Sequence, residues 1–147
     1  MDPISDHYAE VIKPFVGNIF EIKPNIKELE VLSDTKISND QDLLKACQLL
    51  ADKGVKRIVV SLGKEGSFFY SKDKHFKVKL REVEEMKNAS GAGDSFMSLL
   101  IYSYINNIDD KHSLELACAA GIVSIMSDSV TSKSLNVKIL EDIVKGG

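Results

Sequence analysis

The run Asn88-Ala89-Ser90-Gly91-Ala92-Gly93-Asp94 sets glycines and an alanine directly before an acid, and an apolar helical run from Phe96 to Ile105 follows. A small-residue turn that opens a helix leaves backbone N–H groups at the positive end of the helix dipole, where an anion binds readily. Asp94 puts a carboxylate beside that anion pocket, so a base and the phosphate of an electrophile could meet there. The plainer reading makes Asp94 an N-cap or first-turn acid, worth about 1 kcal/mol to the helix. That accounts for the acid and leaves the three small residues before it unexplained.

Two further groups stand upstream. Asn25 and Glu28 are three apart at the start of a helix, hence on one face. Near phosphates, an amide and a carboxylate could hold a hydrated magnesium ion, which keeps several waters and takes one or two carboxylates. The same pair also has the form of a capping box. Ser61-Leu62-Gly63-Lys64-Glu65-Gly66 follows a buried strand, and ligands of open α/β sheets bind beyond the carboxyl ends of strands. A small hydroxyl and two glycines would let a nucleotide approach the backbone; a plain strand–turn–strand connection needs the same glycines for positive φ.

The elements that must position these residues alternate. Val11–Ile22 is mostly apolar and ends at Lys23-Pro24-Asn25, with Phe20 and Ile22 as the end of a strand. Asn25 caps a helix over Lys27–Leu32. Ser38 or Asn39 caps a second, whose apolar face is Leu43, Leu44, Cys47, Leu49 and Leu50, and Gly54 stops it. Arg57–Leu62 reads as a strand buried on both faces, and Ser67–Tyr70 and His75–Leu80 as two strands joined by Ser71-Lys72-Asp73-Lys74. The polar stretch Glu82–Lys87 carries no pattern. Phe96–Ile105 is apolar almost all round, as in a helix buried on every side, and Asn106-Asn107 ends it. Ser113–Ser127 is a helix whose Ala117, Ala119, Ala120 and Gly121 admit a neighbouring backbone or a flat ligand, and Val137–Val144 is a short amphipathic helix. This order predicts an α/β layer architecture in a single domain over residues 1–147.

Composition narrows the function. A formal charge of -3, with no basic block and no aromatic interleaving, excludes a nucleic-acid polymer as partner. Apolar runs are too short to span a bilayer, and the start Met1-Asp2-Pro3-Ile4-Ser5 is no signal peptide. Cys47 and Cys118 read as reduced, buried thiols of a cytoplasmic protein, and the scattered His7, His75 and His112 predict no protein-built metal site.

Taken together, Lys23-Pro24-Asn25 with Glu28, Val60-Ser61-Leu62-Gly63 with Gly66, and Ser90-Gly91-Ala92-Gly93-Asp94 resemble the ribokinase-like (PfkB) sugar and nucleoside kinases in order and spacing. The resemblance covers essentially the whole chain but only the C-terminal half of a typical family member. Within the family, Asp2-Pro3-Ile4-Ser5, Lys23 through Leu32, Asp94 through Tyr104 and Ala117-Cys118-Ala119-Ala120 are most similar to the pseudouridine kinases.

The resemblance implies the C-terminal part of a three-layer fold with a β-hairpin, and ATP with Mg²⁺ as cofactors. Asp94 would be the general base on a primary hydroxyl of a nucleoside or sugar, such as the 5′-hydroxyl of pseudouridine. Gly91, Ala92 and Gly93 would supply the anion hole. Asn25 and Glu28 would organise magnesium through water, Ser61, Gly63 and Gly66 would border the nucleotide, and Cys118 would lie near the adenine. Two departures stand out. Many relatives carry an acid at the place of Asn88, tied to a monovalent-cation site, so potassium activation is in doubt; Asn also occurs there in pseudouridine kinases. The acceptor-binding and lid half is not in this sequence, and Asp2-Pro3 resembles the point just after a mid-protein strand. The expected consequences are a chain inactive alone and apolar surface available for self-association or a homodimer. A ribokinase- or fructokinase-type sugar kinase is the alternative within the family, and a non-catalytic nucleotide-binding or interaction module the alternative outside it.

Overall fold

The computed structural model describes residues 1–79, 91–126 and 136–146. Leu80, Glu82–Lys87, Asn88-Ala89-Ser90 and Ser127 lie outside the described residues. The chain divides into two compact units, Met1–Lys77 and Val78–Gly147.

The first unit opens with a helix that the apolar stretch from Val11 conceals. Ser5 caps α1 (Asp6–Ile12), its hydroxyl accepting from the Tyr8 N–H. A 3-10 stretch, Lys13–Asn18, follows with Pro14 at its start. Only Glu21–Ile22 of the expected strand end is extended, as β1, and Phe20 is 48% exposed. The reason is local: Pro14 suits a helical first turn, and Gly17 lets the 3-10 stretch lie against the end of the second long helix. A Cβ on Gly17 would stand 2.2 Å from the Lys53 carbonyl oxygen.

Helices α2 (Ile26–Ser33) and α3 (Asp40–Lys53) then lead to β2 (Arg57–Ser61). Asn39 caps α3, its side-chain oxygen accepting from Gln41 and Asp42, and Gly54 ends it at φ +127°. Strands β3 (Ser67–Tyr70) and β4 (His75–Val78) complete a four-stranded sheet of order β1-β2-β3-β4. β1 runs parallel to β2, with Ile22 opposite Ile58. β2 runs antiparallel to β3, with Val59 opposite Phe69. The turn between β3 and β4 is closed by the Ser71 N–H on the Lys74 carbonyl, 2.9 Å.

The core sits between α2, α3 and one sheet face. Leu29, Leu32, Leu50 and Ile58 are fully buried there, beside Cys47, Val60 and Phe68. Each fully buried aliphatic side chain stabilises the unit by about 1.5–3 kcal/mol. Alternate residues Val59 and Phe69 are also buried, so β2 is covered on both faces, as its unbroken apolar run predicts. Burial pushes the Cys47 thiol up to about 12.

The second unit is helical among its described residues: α4 (Ala92–Ile105), α5 (Asp110–Met126) and α6 (Val137–Gly146). α4 buries one stripe, Phe96, Leu99, Leu100 and Ser103. Burial on every side does not hold, because Ile101, Tyr102, Tyr104 and Ile105 are 41–71% exposed. Apolarity all round a helix reports what its faces tolerate, whereas burial needs a neighbour on each face. Asn107 turns the chain at φ +54°. Asp109 then caps α5, its Oδ1 accepting from Lys111 and His112, so the helix starts three residues before Ser113. On α5, Ala117, Ala119, Ala120 and Gly121 are buried; α6, whose Leu140 is buried, rests on α5, with Glu141 against His112.

Candidate functional site

In the first unit the residues singled out by sequence gather at the carboxyl ends of β1 and β2. The Ser61 N–H donates to the Pro24 carbonyl at 2.9 Å, and Asn25 and Ser61 face each other as a parallel bridge. The Lys23 N–H donates to the Met1 carbonyl at 2.8 Å, and Lys23 Nζ lies 2.8 Å from Asp2 Oδ2. Residues 1–2, 23–25 and 61 thus lie side by side, and α2 begins there. Two parallel strand ends beside a helix N-terminus form the arrangement in which open α/β sheets take ligands.

Asn25 and Glu28 form the capping box in full. The Asn25 N–H donates to Glu28 Oε2 at 2.9 Å, and the Glu28 N–H donates to Asn25 Oδ1 at 3.0 Å. Asn25 is exposed, whereas Glu28 is 3% exposed, and burial raises its carboxyl above the usual range. No group of three His, Cys, Asp or Glu residues able to hold a metal occurs among the described residues. The donor set here, one carboxylate with an oxygen outside the box and one amide, suits a hydrated ion reached through water and cannot form a protein cage.

The turn after Ser61 is a short 3-10 bend, closed by the Leu62 N–H on the Gly66 carbonyl at 2.9 Å. Gly63 and Gly66 take φ +60° and +88°, a conformation that favours glycine, so the plain turn requirement is met in full.

In the second unit the small-residue turn begins the helix earlier than its apolar run suggests. Gly91 is the N-cap at φ +83°, and the Ser95 N–H closes the first helical bond on the Gly91 carbonyl at 2.9 Å. The amides of Ala92, Gly93 and Asp94 therefore precede the helical ladder. Asp94 is an exposed first-turn acid and not the N-cap, a place held by Gly91.

Cys118 is partly exposed on α5, which corrects the expectation of a buried thiol, whereas Cys47 is buried. Its neighbours do what small residues on a packed helix do: a Cβ on Gly121 would meet the Ala92 carbonyl oxygen and Phe96 Cδ2 at 3.9 Å, ordinary contact. One contact at this end had no signal in the sequence. The buried Ser124 Oγ donates to Ser95 Oγ at 2.6 Å, tying α5 to the first turn of α4. A hollow of about 320 Å³ beside Leu43, Leu44, Phe68 and His75 includes none of the candidate catalytic, nucleotide-binding or magnesium-binding residues. No helix among the described residues is long and apolar enough to cross a membrane.

The model of the pfkB family carbohydrate kinases matches residues 1–136. The 1-phosphofructokinase of Escherichia coli K12 is 30% identical over 109 residues, covering 74% of this chain and 35% of that protein. A sugar kinase of the same organism with no characterised activity, YeiI, is 29% identical over 136 residues, covering 92% of this chain and 38% of that protein. The chain thus spans well under half the length of these relatives. Among solved structures, a protein assigned as a sugar kinase from Clostridium perfringens superposes with a TM-score of 0.94 at 28% identity, over 99% of this chain and 46% of that one. A ribokinase of Arabidopsis thaliana, complexed with ribose and ATP, superposes with a TM-score of 0.80 at 20% identity, over 90% of this chain and 43% of that one, which shows a shared fold. The fold is ribokinase-like α/β, and the chain belongs to the pfkB family of carbohydrate kinases.

Proposed function

We propose that this chain is the C-terminal, catalytic half of an ATP-dependent kinase that phosphorylates an alcohol group of a sugar. The observation that carries the reading is the start of α4: Gly91 at φ +83°, the ladder-free amides of Ala92, Gly93 and Asp94, and the exposed Asp94 carboxylate. Asp94 would take the proton of the attacking hydroxyl, and the amides of the Gly91–Gly93 turn would stabilise charge on the transferred phosphoryl group. Glycine and alanine let these amides approach an oxygen with no side chain intervening. Ser61, Gly63 and Gly66 would border the nucleotide, with Asn25 at the same strand ends, and Cys118 would lie near the adenine. Glu28 and Asn25 would orient water around a magnesium ion. Bound there, magnesium would offset the negative charge of the phosphates.

The named relatives, 1-phosphofructokinases and a sugar kinase, support a sugar or sugar phosphate as acceptor. Pseudouridine would be a second acceptor, favoured only by the sequence motifs Asp2–Ser5, Lys23–Leu32, Asp94–Tyr104 and Ala117–Ala120. The acceptor would be held by residues outside this chain, so the chain alone should not turn over. Product formation should be followed by phosphate transfer from labelled ATP to fructose 1-phosphate, fructose, ribose and pseudouridine, with and without the acceptor-binding half. Transfer to a sugar acceptor only when both halves are present supports the proposal. Binding of Mg-ATP with no transfer to any acceptor in the complete protein would favour a non-catalytic nucleotide-binding module.

A further inference from the structure

The first turn of α4 is the part of that helix least able to hold itself. Its leading amides lie outside the helical ladder, and Gly91 and Gly93 give it more backbone freedom than other residues would. Helix ends open locally at low free-energy cost unless something external fixes them. Here one side chain does so. Ser124, 1% exposed on α5, donates its hydroxyl hydrogen to Ser95 Oγ at 2.6 Å, one residue beyond Asp94. One turn earlier on α5, Gly121 lies under the Ala92 carbonyl and the Phe96 ring. The two residues sit on the same face of α5, so one supplies room for the turn and the other a polar tether.

We propose that Ser124 is a positioning residue that holds the amides of Ala92, Gly93 and Asp94 in place for a phosphate-bearing ligand. This rests on the function proposed above. Ser124 touches no reacting group; it acts through Ser95. A hydroxyl buried for packing alone would serve as well pointing back to its own helix, as Ser33 does to the Leu29 carbonyl at 2.7 Å.

The test is a nitrogen-15 NMR titration of the 147-residue chain with Mg-ATP, following the amides of residues 92–94, in parallel with thermal melts. In the unsubstituted chain these amides should shift on binding. Ser124→Ala and Ser95→Ala should each weaken the affinity about tenfold, and the double variant no further than either alone, because both remove one bond. Should Ser124→Ala fail to fold, Ser95→Ala, at a partly exposed position, carries the test. Unchanged affinity with a lowered melting temperature would make the bond merely structural and overturn the proposal. Absence of any shift in the unsubstituted chain would instead remove the anion-site reading, and this proposal with it.

Discussion

Asn25 and Glu28 bond to each other twice, each backbone N–H donating to the other's side chain at 2.9 and 3.0 Å. A pair that caps α2 so completely can still serve a ligand, and substitution separates the two roles. Glutamine keeps an acceptor for the Asn25 N–H and removes a carboxylate that burial disfavours. Because the Glu28 carboxyl is raised in the fold, its ionisation costs stability as pH rises through that raised value. Glu28→Gln should therefore melt at the same or a higher temperature at neutral pH while weakening the magnesium dependence of nucleotide binding. Asn25→Ala should lose about 1 kcal/mol of stability, as a lost cap does. Thermal melts and titration with ATP in the presence and absence of magnesium check both.

The docking of α6 should depend on pH. His112 Nε2 lies 2.8 Å from Glu141 Oε1 on α6, and Nδ1 lies 3.3 Å from Glu115 Oε2 on its own helix; Lys145 Nζ stands 3.9 Å from Glu141. The bond to Glu141 raises the imidazole above its ordinary 6.5, helped by Glu115 and opposed by burial. A raised pKa places this stabilisation in full below 6.5 and removes it as pH rises through the raised value. Protection of the amides in residues 137–146, after correction for their intrinsic exchange rates, should fall above that value, and His112→Gln should abolish the fall. Protection that does not change with pH in the unsubstituted chain would refute the linkage.

Among the described residues the buried hydroxyl of Ser103 has no hydrogen-bond partner, on the stripe of α4 that includes Leu99 and Leu100. An unsatisfied buried hydroxyl costs about 1 kcal/mol or more, and alanine also favours helix. Ser103→Ala should raise the unfolding free energy by about 1 kcal/mol in denaturant titration.

What the sequence made legible follows the range of the interactions. Asn25 and Glu28 could be read because a capping box spans four residues, whereas the N-cap of α4 falls on Gly91, a position that the acid at Asp94 drew attention away from. β2 was legible in Val59 and Val60, since a strand covered on both faces needs no alternation. α1 was missed although Ser5 before Asp6, with Ala9 and Ile12 at helical spacing, is a usable signal; the apolar run from Val11 masked it. The exposed end of α4 could not be read, because Ile101 and Ile105 look identical whether or not a neighbour covers them. Ser124 with Ser95, and Lys23 with Asp2, pair across 29 and 21 residues, and nothing local marks such partners.

The central claim is that Asp94 is the base of a phosphoryl-transfer centre at the start of α4. Its most direct test is single-turnover transfer from ATP to the sugar acceptor in the complete kinase, this chain with its acceptor-binding half, comparing Asp94 with Asp94→Asn. Loss of about 10³-fold in the transfer rate, with ATP affinity retained, is the predicted result; transfer within a few-fold of the unsubstituted enzyme would contradict the account.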